Sequence, residues 1–419
     1  MPSCIAEERR TDDAESVSPN RTITLPARLA PLDPAVLEDP YPTYKELRDA
    51  GPVCRVSPAA YGVTRHADVT ALLRDPRISH RFPEADPRFA VEDRVAADLA
   101  RRIMSTREAP DHTRIRRLVS PAFGPRQVRR LRADIARQVD RLLDAGLERG
   151  RMDLVADLAL PLAVGTVCGV VGLPDSARDE IAGRAADLSR AFTPFAMPER
   201  TREAATEALA WLRSIVVELL ERRRRDPRDD LLTSVLGVSD GARLTIEEAV
   251  DNVVFVCFTG YETTVNMIAN GGAALLRFPD QLARLRADPG LVPTAVEEFL
   301  RFEAPSQYGA GIAQEPIAIG DRTIKAGRIV FLLLGSANRD ERVFTDPDRL
   351  DVGRTPNPHV SFGGGAHHCV GAALGRAEGA VVFDAVARRI ARFEPDGDAV
   401  RTPNASMRAY ASVPAVIGA

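Results

Sequence analysis

Phe362-Gly-Gly-Gly-Ala-His-His-Cys-Val-Gly371 decides how the chain is read. Glycines crowd toward one cysteine, and Cys369 is followed at once by Gly371-Ala-Ala-Leu-Gly-Arg-Ala-Glu378, a proline-free run of helix formers. The stretch reads as a loop ending at a helix start. A thiol there meets free backbone N–H groups and the positive end of the helix dipole, both of which favour thiolate. Such a thiolate can bind a soft metal centre or act as a nucleophile. The consecutive glycines allow a tight turn and a close approach to a flat ligand, which a buried structural cysteine does not require.

The composition is that of a globular protein. The 419 residues can bury a large core, and 45% hydrophobic with 27% charged residues and a net charge of −3 give no bias toward nucleic acid. Cys4, Cys54, Cys168, Cys257 and Cys369 are odd in number and lack CxxC spacing, which argues against a disulfide framework and for a reducing cytoplasm. Residues 1–28 are polar, have no apolar signal core, and are expected to form a disordered tail. The apolar run Leu158–Leu173 reads as a buried core helix, so no membrane association is expected.

Hydrophobic periodicity predicts helices over Asp39–Ala50, Ala67–Arg74, His112–Arg149 with a break near Gly124-Pro125, Leu154–Leu173, Asp175–Ala191, Glu199–Arg225, Ile246–Phe278 and Val292–Phe302. Short strands are expected within Val53–Val63 and at Ile317–Ile319, Thr323–Ile324 and Ile329–Leu334. Arg81–Arg102 is punctuated by proline and reads as a mobile segment. The fold class is therefore mainly α with small β-sheets, in a single domain over residues 29–419.

In the helix Ile246–Phe278, Thr259, Glu262 and Thr263 stand at i, i+3 and i+4, with Phe255 and Asn266 one turn away on either side. Their polar groups converge on one face. A carboxylate inside an apolar helix is costly unless paired or working, and Gly260 beside it weakens the helix by about 1 kcal/mol relative to alanine. The plain alternative is a kink with Glu262 turned to solvent; the functional one is a proton relay, with Gly260 making room for a bound group. Glu298-Phe-Leu-Arg301 pairs an acid and a base at i, i+3, which alone says almost nothing. Asp111-His-Thr-Arg-Ile-Arg-Arg117 opens another helix with His112 and Arg116 on one face, and a solvated basic face explains either residue alone.

Together these motifs resemble a cytochrome P450 of the soluble bacterial type, from about Asp39 onward. The cysteine loop matches the family's haem-binding stretch, Thr259-Gly-Tyr-Glu-Thr263 its oxygen-activation motif, and Glu298-x-x-Arg301 its ExxR helix. Ala337-Asn-Arg-Asp340 with Phe344-x-Asp-Pro347 looks like its meander, and Asp111-His-Thr-Arg-x-Arg116 like its propionate-binding helix.

The resemblance implies the P450 fold, a helix-rich part with a small β-rich part, and a haem b cofactor ligated by Cys369 as the metal-binding residue. It implies cofactor contacts from Phe362, Gly363, Gly371 and Gly260, and propionate contacts from His112, Arg116 and His367. Catalytic roles would fall to Glu262, Thr263 and Thr259, and structural ones to Glu298 and Arg301. Phe192, Phe195, Phe255, Phe258, Gln307, Tyr308 and Met407 would line the substrate pocket. Electrons would come from NAD(P)H through a ferredoxin and ferredoxin reductase, docking at the Arg114–Arg117 and Arg126–Arg130 clusters.

The implied activity is a monooxygenase acting on a medium-sized hydrophobic molecule by hydroxylation or epoxidation in secondary-metabolite biosynthesis. A ring closure, coupling or desaturation is the alternative outcome. Readings from other classes are a catalytically silent binding module and a zinc site from His359, His367, His368 and Cys369. The chain departs from the family where a propionate arginine is common and Gly311 stands instead, leaving Arg339 or another base to substitute. It also has Thr259 where alanine or glycine is usual, and Leu350 and Gly375 where phenylalanine and alanine are common.

Overall fold

A computed structural model of the chain describes residues 34–81, 98–191, 199–237 and 243–419. The expected tail over residues 1–28, Phe192, Phe195 and most of the expected mobile segment (82–97) lie outside the described residues.

The architecture is arranged around the helix Ile246–Arg277. Its start is fixed by a capping box: Glu248 N–H donates to Thr245 Oγ1 (3.1 Å), and Thr245 N–H donates back to the Glu248 carboxylate (2.9 Å). From Ala249 to Gly272 every residue is buried except Phe255, Thr259, Gly260, Glu262 and Thr263. A helix apolar nearly all round must be interior, and this one packs against Leu160–Val171, Glu199–Arg225, Val292–Phe302 and Ala372–Arg389. At Gly260 an added Cβ would stand 2.8 Å from Val167 Cγ2. The room that glycine was expected to leave for a bound group is, on that side, occupied by the neighbouring helix.

Four small sheets flank the helices among the described residues. The largest runs Val53–Ser57, Ala60–Val63, Ile329–Leu332, Gly309–Ala313, Ile78–Ser79, with the second and third strands parallel and the other neighbours antiparallel. It carries its own apolar cluster around Val63, Val69, Ile78, Ile324 and Val330.

Three expected elements come out differently. Leu154–Leu173 begins as a π-turn, Leu154–Ala159, capped by Asp153, and becomes α-helix over Leu160–Val171, because Pro161 has no N–H to extend a regular ladder backward. Leu154–Val171 is long and apolar enough to cross a membrane, but 72% of it is buried inside the protein, as a core helix requires. Asp175–Ala191 is two helices, Ser176–Gly183 and Ala185–Ala191, separated where Arg184 N–H closes on the Glu180 and Ile181 carbonyls. The run expected as Ile329–Leu334 stops pairing at Leu332, and Leu334–Ala337 turns as a short helix.

Candidate functional site

The cysteine loop is held by backbone bonds, Gly363 N–H to Val360 C=O and Cys369 N–H to Phe362 C=O, both at 2.9 Å. Gly363 and Gly365 take left-handed φ values of 68° and 60°. A Cβ on Gly365 would lie 2.6 Å from the Leu73 carbonyl oxygen, so at Gly364 and Gly365 the space expected for a flat ligand is filled by Leu73 and Arg74. Gly365→Ala should therefore lower stability by about 1–3 kcal/mol from the left-handed backbone alone. A denaturant midpoint equal to wild type would contradict this.

Cys54, Cys168 and Cys257 are buried, whereas Cys369 is exposed at the mouth of the helix Ala372–Arg389. The Gly371 and Ala372 N–H groups, Arg116 and Arg376 all favour its thiolate, as the helix-start position predicts. Crowding by surrounding protein nonetheless outweighs them and pushes the thiol up. Arg376 lies over the Phe362 ring at 4.5 Å, and His359 and His368 flank it. His359 Nε2 meets Glu297 (3.0 Å) and His367 Nε2 meets Glu108 (3.4 Å), so the four groups considered for zinc do not converge.

The helix Asp111–Val119 brings His112 and Arg116 to the same loop. The His112 and His367 rings lie 4.3 Å apart between centroids, tilted by 40°, and Arg116 Nη2 donates to the His368 carbonyl at 2.6 Å. Burial, aided by the neighbouring His80 and His112, holds His367 down to about 4. Arg114, expected in a docking face, is instead tied to Glu248 and Asp111.

On the central helix, the partly exposed stripe Phe255, Thr259, Glu262 and Thr263 follows helical spacing. The two hydroxyls donate to the carbonyls one turn back, Thr263 to Thr259 at 2.9 Å and Thr259 to Phe255 at 2.8 Å. Glu262 accepts from Ser189 Oγ at 2.5 Å, and burial pushes its carboxyl up. Phe258, expected with Phe255 in a pocket, is buried edge-to-face against Tyr261.

Glu298 and Arg301 are both 0% exposed and pair in parallel (2.7 and 2.9 Å). Arg301 also donates to the Asn338 and Pro347 carbonyls, and Glu298 accepts from Asp351 N–H, Arg354 Nε and Asn357 Nδ2. Arg354 is a third member of this cluster that sequence spacing did not single out. Asn338 reaches onward to Ser361 and Val360, tying the segment to the cysteine loop. Arg339 is spent here too, donating to Phe302 C=O and Asp348, and so does not stand in for the arginine absent at Gly311.

A family model described as Cytochrome P450 matches residues 290–411. The chain is 36% identical over 366 residues to the "Biotin biosynthesis cytochrome P450" of Bacillus subtilis, covering 84% of this chain and 90% of that protein. It is 40% identical to "Nocardicin C N-oxygenase" of Nocardia uniformis over 83% and 86% of the two chains. The chain belongs to the cytochrome P450 family. The crystal structure of P450BioI in complex with hexadec-9Z-enoic acid ligated acyl carrier protein superposes with a TM-score of 0.85 at 33% identity, covering 91% of this chain and all of that one. The P450 fold and an oxidoreductase, monooxygenase activity follow, as do the haem and the external electron supply that the family implies.

The residues present fit a haem. An exposed thiol with two N–H groups directed at it stands beside imidazole and guanidinium donors suited to carboxylates.

The expected pocket residues divide. Ser306 bridges Met407, so those two segments meet. Gln307 is buried with Nε2 on the Ala304 carbonyl, and Tyr308 packs edge-to-face on Phe331, which gives both a structural setting. One titratable group escaped sequence reading: Glu378, fully enclosed in the helix after Cys369, is pushed up to about 8 by burial and meets Thr264 Oγ1 at 3.4 Å. Its only signal was a carboxylate among alanines and valines. Leu350 is buried in the core, so that departure concerns packing, whereas at Gly375 an added Cβ would meet no neighbouring atom.

Proposed function

We propose that this P450 inserts one oxygen atom from dioxygen into a medium-sized, mostly hydrophobic organic molecule, by hydroxylation or epoxidation, in secondary-metabolite biosynthesis. The observation that carries the proposal is the stripe Phe255, Thr259, Glu262 and Thr263, left open on an otherwise buried helix with its acid and alcohol intact. A silent binding module has no need of that pair.

Bound haem supplies the oxidising chemistry. Cys369 holds it from one side, Phe362 shields the sulfur, and the Gly371 and Ala372 N–H groups set the sulfur's basicity. His112, Arg116 and His367 hold the propionates. Glu262, whose carboxyl burial pushes up and Ser189 positions, is the proton source. Thr263 Oγ1 takes a proton from that side as it passes on its own, turned from the Thr259 carbonyl toward the open face. Thr259 adds a second hydroxyl on the same face. Electrons arrive from a ferredoxin and its reductase in the cytoplasm, where Arg126 and Arg130, paired with the Asp229 carboxylate at 3.7 and 3.6 Å and Arg130 also donating to the Asp229 carbonyl (3.0 Å), offer the cationic docking face.

Thr263→Ala should lower product per NAD(P)H consumed by about 10²-fold while dioxygen consumption continues. Unchanged coupling would remove Thr263 from the relay. Turnover with labelled dioxygen tests the reaction type: label in the product supports insertion, and an oxidised product without label means ring closure or desaturation instead. The relatives' names, biotin biosynthesis, an N-oxygenase and a complex with a fatty acyl carrier protein, span free and carrier-bound substrates. Both forms belong in the substrate screen, read as a Soret shift on binding.

A further inference from the structure

Gly311 leaves the family's common propionate arginine missing, and the sheet shows what stands beside the gap. Ile78–Ser79 pairs antiparallel with Gly309–Ala313, Ile78 opposite Ala313 and Ser79 opposite Ile312. One further step in that register sets His80 opposite Gly311. Directly opposed residues of an antiparallel pair project from the same face with Cβ atoms roughly 5 Å apart. His80 therefore leaves the sheet where a side chain at 311 would. A Cβ at 311 would itself lie 2.5 Å from Ile78 Cγ2 and 3.1 Å from the Ser79 carbonyl oxygen, so the close approach that delivers His80 also excludes an arginine from that position.

The His80 ring arrives at the propionate-binding residues. Its centroid is 3.9 Å from that of His367, which on its other side is 4.3 Å from His112. Three imidazoles from three separate elements thus form one row. Glu108 accepts from the His80 N–H (2.6 Å) and lies 3.3 Å from Nδ1, while its second oxygen meets His367 Nε2. With Nδ1–H donated to the Glu108 carboxylate, Nε2 on the far edge of the ring donates to a second carboxylate in the imidazolium form, which two flanking carboxylates favour by charge.

We propose that His80 is a haem-propionate ligand that replaces the arginine missing at Gly311, with Glu108 as its positioning residue. This rests on the haem-thiolate reading above. His80, Glu108 and His367 also lie close enough to hold a metal ion. The register match to Gly311 and the row shared with His112 favour the carboxylate ligand.

The test is the rate at which holoenzyme loses haem to excess apomyoglobin. His80→Ala should speed release about 10-fold, and His80→Gln, which keeps a donor, should stay within about 3-fold of wild type. In protein reconstituted with haem dimethyl ester, whose propionates carry no charge, His80→Ala should change release by less than about 2-fold. Equal release rates for wild type and His80→Ala with native haem would overturn the proposal, as would the same acceleration with the diester. Zinc bound by the holoenzyme and lost in His80→Ala would also overturn it, by placing a metal in the cluster. Failure of the underlying reading would appear separately, as absence of the thiolate-type Soret band from reduced, CO-treated wild type.

Discussion

Cys369→Ser is expected to abolish the thiolate-type Soret band and reduce monooxygenase turnover to that of free haem. A serine hydroxyl is a harder and far weaker acid than a thiol, and the Gly371 and Ala372 N–H groups that partly offset the crowding at Cys369 cannot bring it within reach of deprotonation. The fold should survive, because Cys369 is exposed while the other described cysteines are buried. The apoprotein's unfolding free energy should stay within about 0.5 kcal/mol of wild type, as for most substitutions outside the core. A variant that kept the thiolate-type band would mean another group ligates the iron.

The second large effect is on stability. Glu298→Ala would leave Arg301, fully buried, and Arg354, only 11% exposed, facing each other without their shared carboxylate. It would also orphan the Asp351 N–H and Asn357 Nδ2. Breaking a buried pair from one side costs about 3–5 kcal/mol. Against a typical total of about 5–15 kcal/mol, that is enough to loosen the path from Asn338 through Ser361 to the cysteine loop. Urea unfolding should show the loss, and expression should yield haem-poor protein. A variant with wild-type midpoint and haem content would show that this cluster does not hold the loop.

Features that depend on local pattern were legible in the sequence. Val292–Phe302 matches its predicted span, and the helix ending at Arg225 its predicted end, because apolar spacing and nearby prolines act within or beside the element. The stripe from Phe255 to Thr263 was readable because helical periodicity alone puts those residues on one face. What depends on partners distant in the chain was not. Arg354 sits in a loop whose sequence carries no period, and only folding brings it to Glu298, 56 positions away. His80 was not singled out in the sequence, and its significance lies in a register with Gly311 that no local pattern encodes. Gly260, Gly364 and Gly365 were read as space for a ligand, whereas neighbouring chain fills that space.

The same distinction bears on the acid of the relay. Glu262 was legible as an unusual carboxylate in an apolar helix, but its partner Ser189 lies on a separate helix, Ala185–Ala191, that the sequence merged with the one before it. That link places the acid under the control of an element outside the central helix.

The absorption spectrum of the reduced wild-type protein under carbon monoxide tests the central claim most directly. The account predicts the red-shifted Soret band of thiolate-ligated haem. A stable band at the position of haem with a neutral proximal ligand in folded protein, or purified folded protein that takes up no haem, would contradict it.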